Sequence, residues 1–201
     1  MSILGLSITD TKPVIEGAGF WIRALARILD TAFGYLVGTF SGLLGGVALG
    51  ILQGLSIIDP GWQTGVSGGG WLLLLMSLVG NVCYHTFSEG IGGASLGKLI
   101  CGLRVLSEDR SPCGLKAALI RSLAYFIDSL FFGVIGYMEM KKTPMEQRHG
   151  DNWARTVVVR KSLVPEASRR TGMWFLLAIA AGTAAWSFCL LITIVGLGLI
   201  A

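Results

Sequence analysis

From Thr31 to Ile58 the chain runs for 28 residues without a charged side chain, and from Gly172 to Ala201 for another 30. The hydrocarbon core of a bilayer takes about 20 apolar helical residues, so each run is long enough to cross with some tilt. Backbone in lipid must satisfy its own N–H and C=O groups, and a helix is the local way to do so. Composition agrees: 14% of residues are charged and mean hydropathy is +0.69, against roughly 25% charged residues in an ordinary soluble domain. The expected fold is an all-α polytopic membrane protein, a helical bundle of three to four transmembrane helices.

Within the first run glycine returns at every fourth position: Gly34, Gly38, Gly42, Gly46, Gly50 and Gly54. Such a stripe lets a second backbone come close where lipid supplies no hydrophobic drive for association. It suits packing inside the chain's own bundle, a contact with another copy or a membrane partner, or a glycine-lined pore. The next loop carries Trp62, is followed by Trp71 and has no Lys or Arg, as expected on the translocated side. A second span follows at 70–88. At its end His85 and Glu89 stand four apart on one helical face; two ligands are too few for a metal, and the pair reads as interfacial.

The loop at 89–114 opens with Gly92-Gly93-Ala94-Ser95-Leu96-Gly97-Lys98-Leu99. This nearly spells a phosphate-binding loop, but Leu99 stands where Ser or Thr should hold magnesium, and a membrane span precedes it instead of a strand. Nucleotide binding is therefore excluded. Leu103–Leu106, followed by a turn-rich stretch, reads as a short strand with Thr156–Val159 as its partner, giving a small cytoplasmic β-hairpin element. Cys83, Cys101, Cys113 and Cys189 have no metal-site spacing and are expected to be free thiols. No secretory signal is recognisable, so the mature chain is expected to begin at or near Met1.

The net charge of +4 would suit nucleic acid, but the basic residues flank the apolar segments, a pattern of membrane topology. Lys12, Arg23 and Arg27 place the N-terminus in the cytoplasm, and Lys98, Arg104, Arg110 and Lys116 place the middle loop there. A third block, from Lys141 and Lys142 through Arg148, Arg155, Arg160 and Lys161 to Arg169 and Arg170, belongs on the same side. A complete span at 115–138 would put that block outside. The segment is therefore expected to enter, break near Gly133 or Gly136 and return, with four plain spans as the alternative. The resulting order is a membrane domain at 1–161, with an amphipathic lead-in at 18–30, spans at 31–57 and 70–88, the loop at 89–114, the broken segment at 115–138 and a loop at 139–161. A basic linker at 162–171 and an additional helix at 172–201 complete the chain.

One stretch occurs twice. Ile22–Gly38 and Ile120–Gly136 share seven of seventeen residues, including Arg23 with Asp30 and Arg121 with Asp128. Seven residues are two helical turns, so each Arg and Asp lie on one face but about 10 Å apart, too far for a direct bond. Antiparallel cross-pairing, Arg23 with Asp128 and Arg121 with Asp30, is the expected solution. Ionisable residues in lipid usually pair, and internal repeats often flank a transport site. Structural ion pairs, a proton or cation site on Asp30 and Asp128, and anionic-lipid binding by the arginines are all compatible with this. Asp151, between Arg148 and Arg155, suits a cap, a loop-locking salt bridge or a gate.

In order and spacing, Gly19-Phe20-Trp21, Arg23, Asp30, Ser95-Leu96-Gly97-Lys98, Gly102-Leu103-Arg104-Val105, Arg121, Gln147-Arg148, Gly150-Asp151 and Thr156-Val157-Val158-Val159 resemble the RDD family of bacterial membrane proteins. The resemblance covers about Gly17 to Lys161. It implies that Arg23, Asp30 and Asp151 are the name-giving positions, and that Arg121 and Lys98 belong to further motifs. Gly150-Asp151 stands where many members have His-Asp, with His149 one position earlier, and Arg155 stands where glycine is usual. The resemblance implies a transport-related role in the bacterial cytoplasmic membrane, some members looking like sodium/proton antiporters. The alternative is a structural or accessory membrane subunit that packs with itself or a partner through the glycine stripe. No catalytic constellation, metal site or cofactor motif is present, and an enzyme is not expected.

Overall fold

In the computed structural model residues 16–57 and 70–198 are described. The expectations placed on the chain start, Lys12 and Trp62 lie outside them, as do the surroundings of Gly38, Gly42 and Gly46. Among the described residues the chain is mainly helical, with one small two-stranded sheet.

The lead-in and first apolar run form one continuous helix, α1 (Phe20–Gly54). Next come α2 (Gly70–Gly90), the short α3 (Leu96–Ile100) and strand β1 (Leu103–Ser107). Helices α4 (Leu115–Asp128) and α5 (Leu130–Met140), the short α6 (His149–Ala154), strand β2 (Thr156–Arg160) and α7 (Gly172–Gly198) complete the order. Among the described residues, by length and composition, one helical stretch, Glu166–Leu190, can cross a bilayer, and α4 with α5 would count as a second if taken as one bent span.

The expected break is present. Helices α4 and α5 meet at 114°, and Phe131, Phe132 and Gly133 all have left-handed backbone, with φ of 50°, 60° and 86°. Gly133 adopts this freely, whereas an L-residue in that region costs roughly 1–2 kcal/mol. The bend begins at Ser129, a few residues before the glycines that signal it, and Gly136 lies within α5. There Gly136 is needed for another reason: a Cβ on it would sit 3.0 Å from the carbonyl oxygen of Asp128.

The expected strand pairing is present as well, but not as a hairpin, since α4, α5 and α6 lie between the two strands. β1 and β2 are antiparallel, from Leu103 opposite Arg160 to Ser107 opposite Thr156. Both faces of this ribbon are covered: Leu103, Val105 and Val158 pack with Ala18, Ala26, Cys113 and Ala118. Leu106, Val157 and Val159 pack with Val164. Such continuous apolar strands fit a doubly covered sheet.

Helix α2 packs against α4 and α7, α4 against α6, and α1 against α3. Small residues set the α2–α7 contact: a Cβ on Gly80 would lie 3.1 Å from Nε1 of Trp186, and one on Gly182 would lie 3.3 Å from Cβ of Phe87. Trp186 donates to the Met76 carbonyl at 3.1 Å. The glycine stripe of α1 behaves differently. Around Gly34, Gly50 and Gly54 no described residue lies within 4 Å of where a Cβ would be, so among the described residues the stripe does not pack within the chain at those positions.

Candidate functional site

The charged residues gather where the start of α1, the end of α2, α3, α4, α6 and β2 converge. Arg23, 2% exposed, donates from Nη1 to Asp151 Oδ2 at 2.6 Å, from Nε to the Ala18 carbonyl at 2.7 Å and from Nη2 to the Val158 carbonyl at 3.5 Å. Asp151 also accepts from Arg121 Nη1 and, at 3.1 Å, from the backbone N–H of Arg148. Arg121 then reaches Thr156 Oγ1 at 2.7 Å and Glu89 Oε2 at 3.2 Å. Glu89 accepts from Lys98 Nζ at 2.5 Å and faces His85 Nδ1 at 3.3 Å. Arg27 donates to Nε2 of that histidine. The Nε2 lone pair is thereby used as an acceptor, so the tautomer consistent with this network carries its proton on Nδ1 and donates it to Glu89.

The chain Arg23–Asp151–Arg121–Glu89–His85–Arg27 leaves α1, passes through α6, α4 and α2, and returns to α1 one turn later. It is a closed ring of charge and imidazole. Burial alone raises the pKa of the Asp151 carboxyl, but Arg121, Arg23 and Arg148 outweigh that and hold it at about 2. Lys98 goes the other way: burial lowers its ammonium to about 8, against the opposing attraction of Glu89 and with repulsion from Arg121 and Arg148.

The expected cross-pairing of the two Arg–Asp copies is not what the structure contains. Arg23 and Arg121 converge on Asp151, while Asp30 and Asp128 each serve a different partner. Asp30 accepts from Ser95 Oγ at 2.6 Å, from the Gly97 N–H at 2.7 Å and from Tyr84 Oη at 2.9 Å. Asp128 accepts from the N–H groups of His149 and Gly150, both at 3.3 Å, and lies 3.1 Å from His149 Nδ1. Each aspartate therefore receives free N–H at the N-terminus of a short helix, the Gly97 amide of α3 for Asp30 and the His149 and Gly150 amides of α6 for Asp128. Helices α1 and α4 touch through Arg27, which lies 3.9 Å over the ring of Tyr125, and not through an Arg–Asp pair.

The repeat thus has a structural meaning. In each copy a long helix bears Arg and Asp two turns apart, the Asp anchors a short helix, and a strand follows that helix. The two strands pair with each other. The loop that resembles a phosphate site shows the same chemistry turned inward, since its serine hydroxyl and glycine amide hold the Asp30 carboxylate.

Inside the ring lies a cavity of about 50 Å³ lined by Arg23, Arg27, Asp30, Glu89, Lys98, Arg121, Asp128, Arg148 and Asp151 among others. That volume holds a few waters. Five cationic side chains face four carboxylates, and each carboxylate already accepts from several donors. A metal cation entering this cavity would meet an excess of positive charge, whereas an anion would not. Glu89 and Arg27, singled out in the sequence only as half of an interfacial pair and as part of a basic block, are thus ring members.

The RDD family model matches residues 17–155. No curated protein and no solved structure matches the chain.

Proposed function

The chain belongs to the RDD family, a family of membrane proteins, and from that premise we propose that it is a small multi-pass transporter of the bacterial cytoplasmic membrane, not an enzyme, that moves protons through the Lys98–Glu89–His85 side of its buried ring. In this reading α1, α2 and α7 cross the bilayer, the bent α4–α5 pair re-enters, and the N-terminus and the site face the cytoplasm. The observation that carries it is the Lys98 ammonium 2.5 Å from Glu89, at the edge of a cavity that holds a few waters. An ammonium poised at about 8 can release a proton near neutral pH, and the neutral imidazole beside it offers a relay. Asp30 and Asp128, held by helix amides, act as anchors in this scheme.

The test is ion-driven proton movement in liposomes containing the purified chain. Wild type should show flux. Lys98→Arg keeps the positive charge but cannot deprotonate in the working range, and flux should fall by about 100-fold, a typical share for a positioned acid or base. Folded wild type with no flux would overturn the transport reading, and full flux in Lys98→Arg would remove Lys98 from the path.

A second reading, an accessory subunit that packs through α1, is favoured by the open space around Gly34, Gly50 and Gly54. Gly50→Leu should leave the monomer folded, because none of the described residues opposes the new side chain. It should shift any homo-oligomer or co-purifying partner complex toward the free chain on size-exclusion chromatography. An unchanged elution profile would count against that face as an interface.

A further inference from the structure

Two guanidinium groups at the site make no ion pair among the described residues. Arg27 donates to His85 and, at 2.9 Å, to Asn81 Oδ1, and lies 3.9 Å over the ring of Tyr125. Arg148 uses only its backbone N–H, on Asp151; its guanidinium makes no hydrogen bond or ion pair among the described residues, and its Nε is buried with no partner. Arg148 is half-buried, and leaving its buried Nε donor without an acceptor is costly, so this group can take an anion.

Both arginines lie on the wall between the small polar cavity and a larger hollow of about 920 Å³. This hollow is at the upper end of the roughly 300–1,000 Å³ that holds a drug-sized molecule. It runs between the first turns of α1 and the α4–α5 bend, and its walls include Phe20, Ile28, Leu36 and Phe132. Ile28 and Leu36 are 64% and 67% exposed, and Phe132 is fully exposed on left-handed backbone. An apolar trough that ends on two guanidiniums without an ion pair, beside a cavity where five cations face four carboxylates, has the polarity of an amphiphile with an anionic head. A neutral head would leave the buried Arg148 Nε without a charged acceptor.

We propose that this groove binds one anionic membrane phospholipid, its phosphate against Arg148 and Arg27 and an acyl chain along the trough toward Phe132. Planar guanidinium matches phosphate with paired hydrogen bonds, and the cytoplasmic leaflet that supplies anionic lipid is the one this site faces in the topology proposed above. The proposal does not depend on transport, since its readout is lipid retention.

The full chain is reconstituted in nanodiscs of equal phosphatidylglycerol and phosphatidylcholine, released into detergent and weighed by native mass spectrometry. Wild type should retain one phosphatidylglycerol in preference to phosphatidylcholine. Arg148→Gln, which breaks no side-chain bond, should lower that preference about tenfold, the weight of a charge-assisted contact. Ala32→Phe, at an exposed position on the groove wall, should expel lipid of either head group with the fold intact by thermal melting, and it decides the matter if Arg148→Gln does not fold. Equal retention of the two lipids by wild type, or unchanged retention in folded Ala32→Phe, would overturn the proposal. So would displacement of the lipid by millimolar inorganic phosphate, which would make this a site for a free anion.

Discussion

Asp151→Asn is expected to cost about 3–5 kcal/mol of stability, the range for breaking a buried pair by removing one partner, and to leave little folded protein on detergent extraction. Asn has the shape of Asp, so packing survives and only the charge is lost. That charge is shared: Arg23 and Arg121 both end on it, and both are almost wholly buried. Arg121 keeps Glu89, but Arg23 is left with only carbonyl acceptors. Arg23→Met should cost less, because Asp151 keeps Arg121 and the Arg148 amide. The pH dependence has a definite sign. The folded pKa of about 2 lies below the ordinary 3.8, so this stabilisation is complete above the ordinary carboxyl range and is lost as pH falls from about 4 toward 2. Thermal melting in detergent between pH 2 and 7 checks both points. An Asp151→Asn variant that melts with wild type, with the same slope in acid, would show that the ring contributes nothing to the fold.

Much of the architecture is legible in the sequence because it follows from local rules. Apolar length gives the long helices, short apolar runs beside turn residues give the Leu103–Leu106 and Thr156–Val159 strands, and glycine beside an apolar run gives the break near Gly133. The distribution of the basic blocks favours the same break. The ion-pair partners are not legible. Spacing tells which face of one helix bears Arg23 and Asp30, but not what lies opposite. What lies opposite are α3 and α6, helices of 5 and 6 residues, too short to leave a periodic signal. Glu89 and Lys98 read separately, one as an interfacial partner of His85 and the other as the lysine of a failed phosphate loop. They meet because the chain turns between α2 and α3 at Gly93, φ 76°. Arg155 shows the same limit: glycine is expected there from the family resemblance, and the residue does sit in left-handed backbone at the end of α6, φ 50°, so the usual glycine has a conformational reason.

Gly97→Ala is the second large effect expected, about 3–5 kcal/mol of destabilisation. Two contributions combine: roughly 1–3 kcal/mol for overpacking and about 1.5–3 kcal/mol for a hydrogen bond to a charged group. The added methyl would fall on the carbonyl oxygen of Ala26 and 3.0 Å from Asp30 Cγ. Both belong to α1, and the first is backbone that cannot swing aside. Helix α3 would have to lift, and the Gly97 N–H, 2.7 Å from Asp30, would lift with it. Gly50→Ala supplies the internal control, since the same change in open helix should gain up to about 1 kcal/mol from helix propensity alone. The two alanines are therefore expected to shift the melting temperature in opposite directions. If Gly97→Ala stabilised the protein, α3 would not be seated on α1 in solution. The Asp30 carboxylate would then be free of its helix anchor, and an ion path through Asp30 would become a better reading than the Lys98–Glu89 relay.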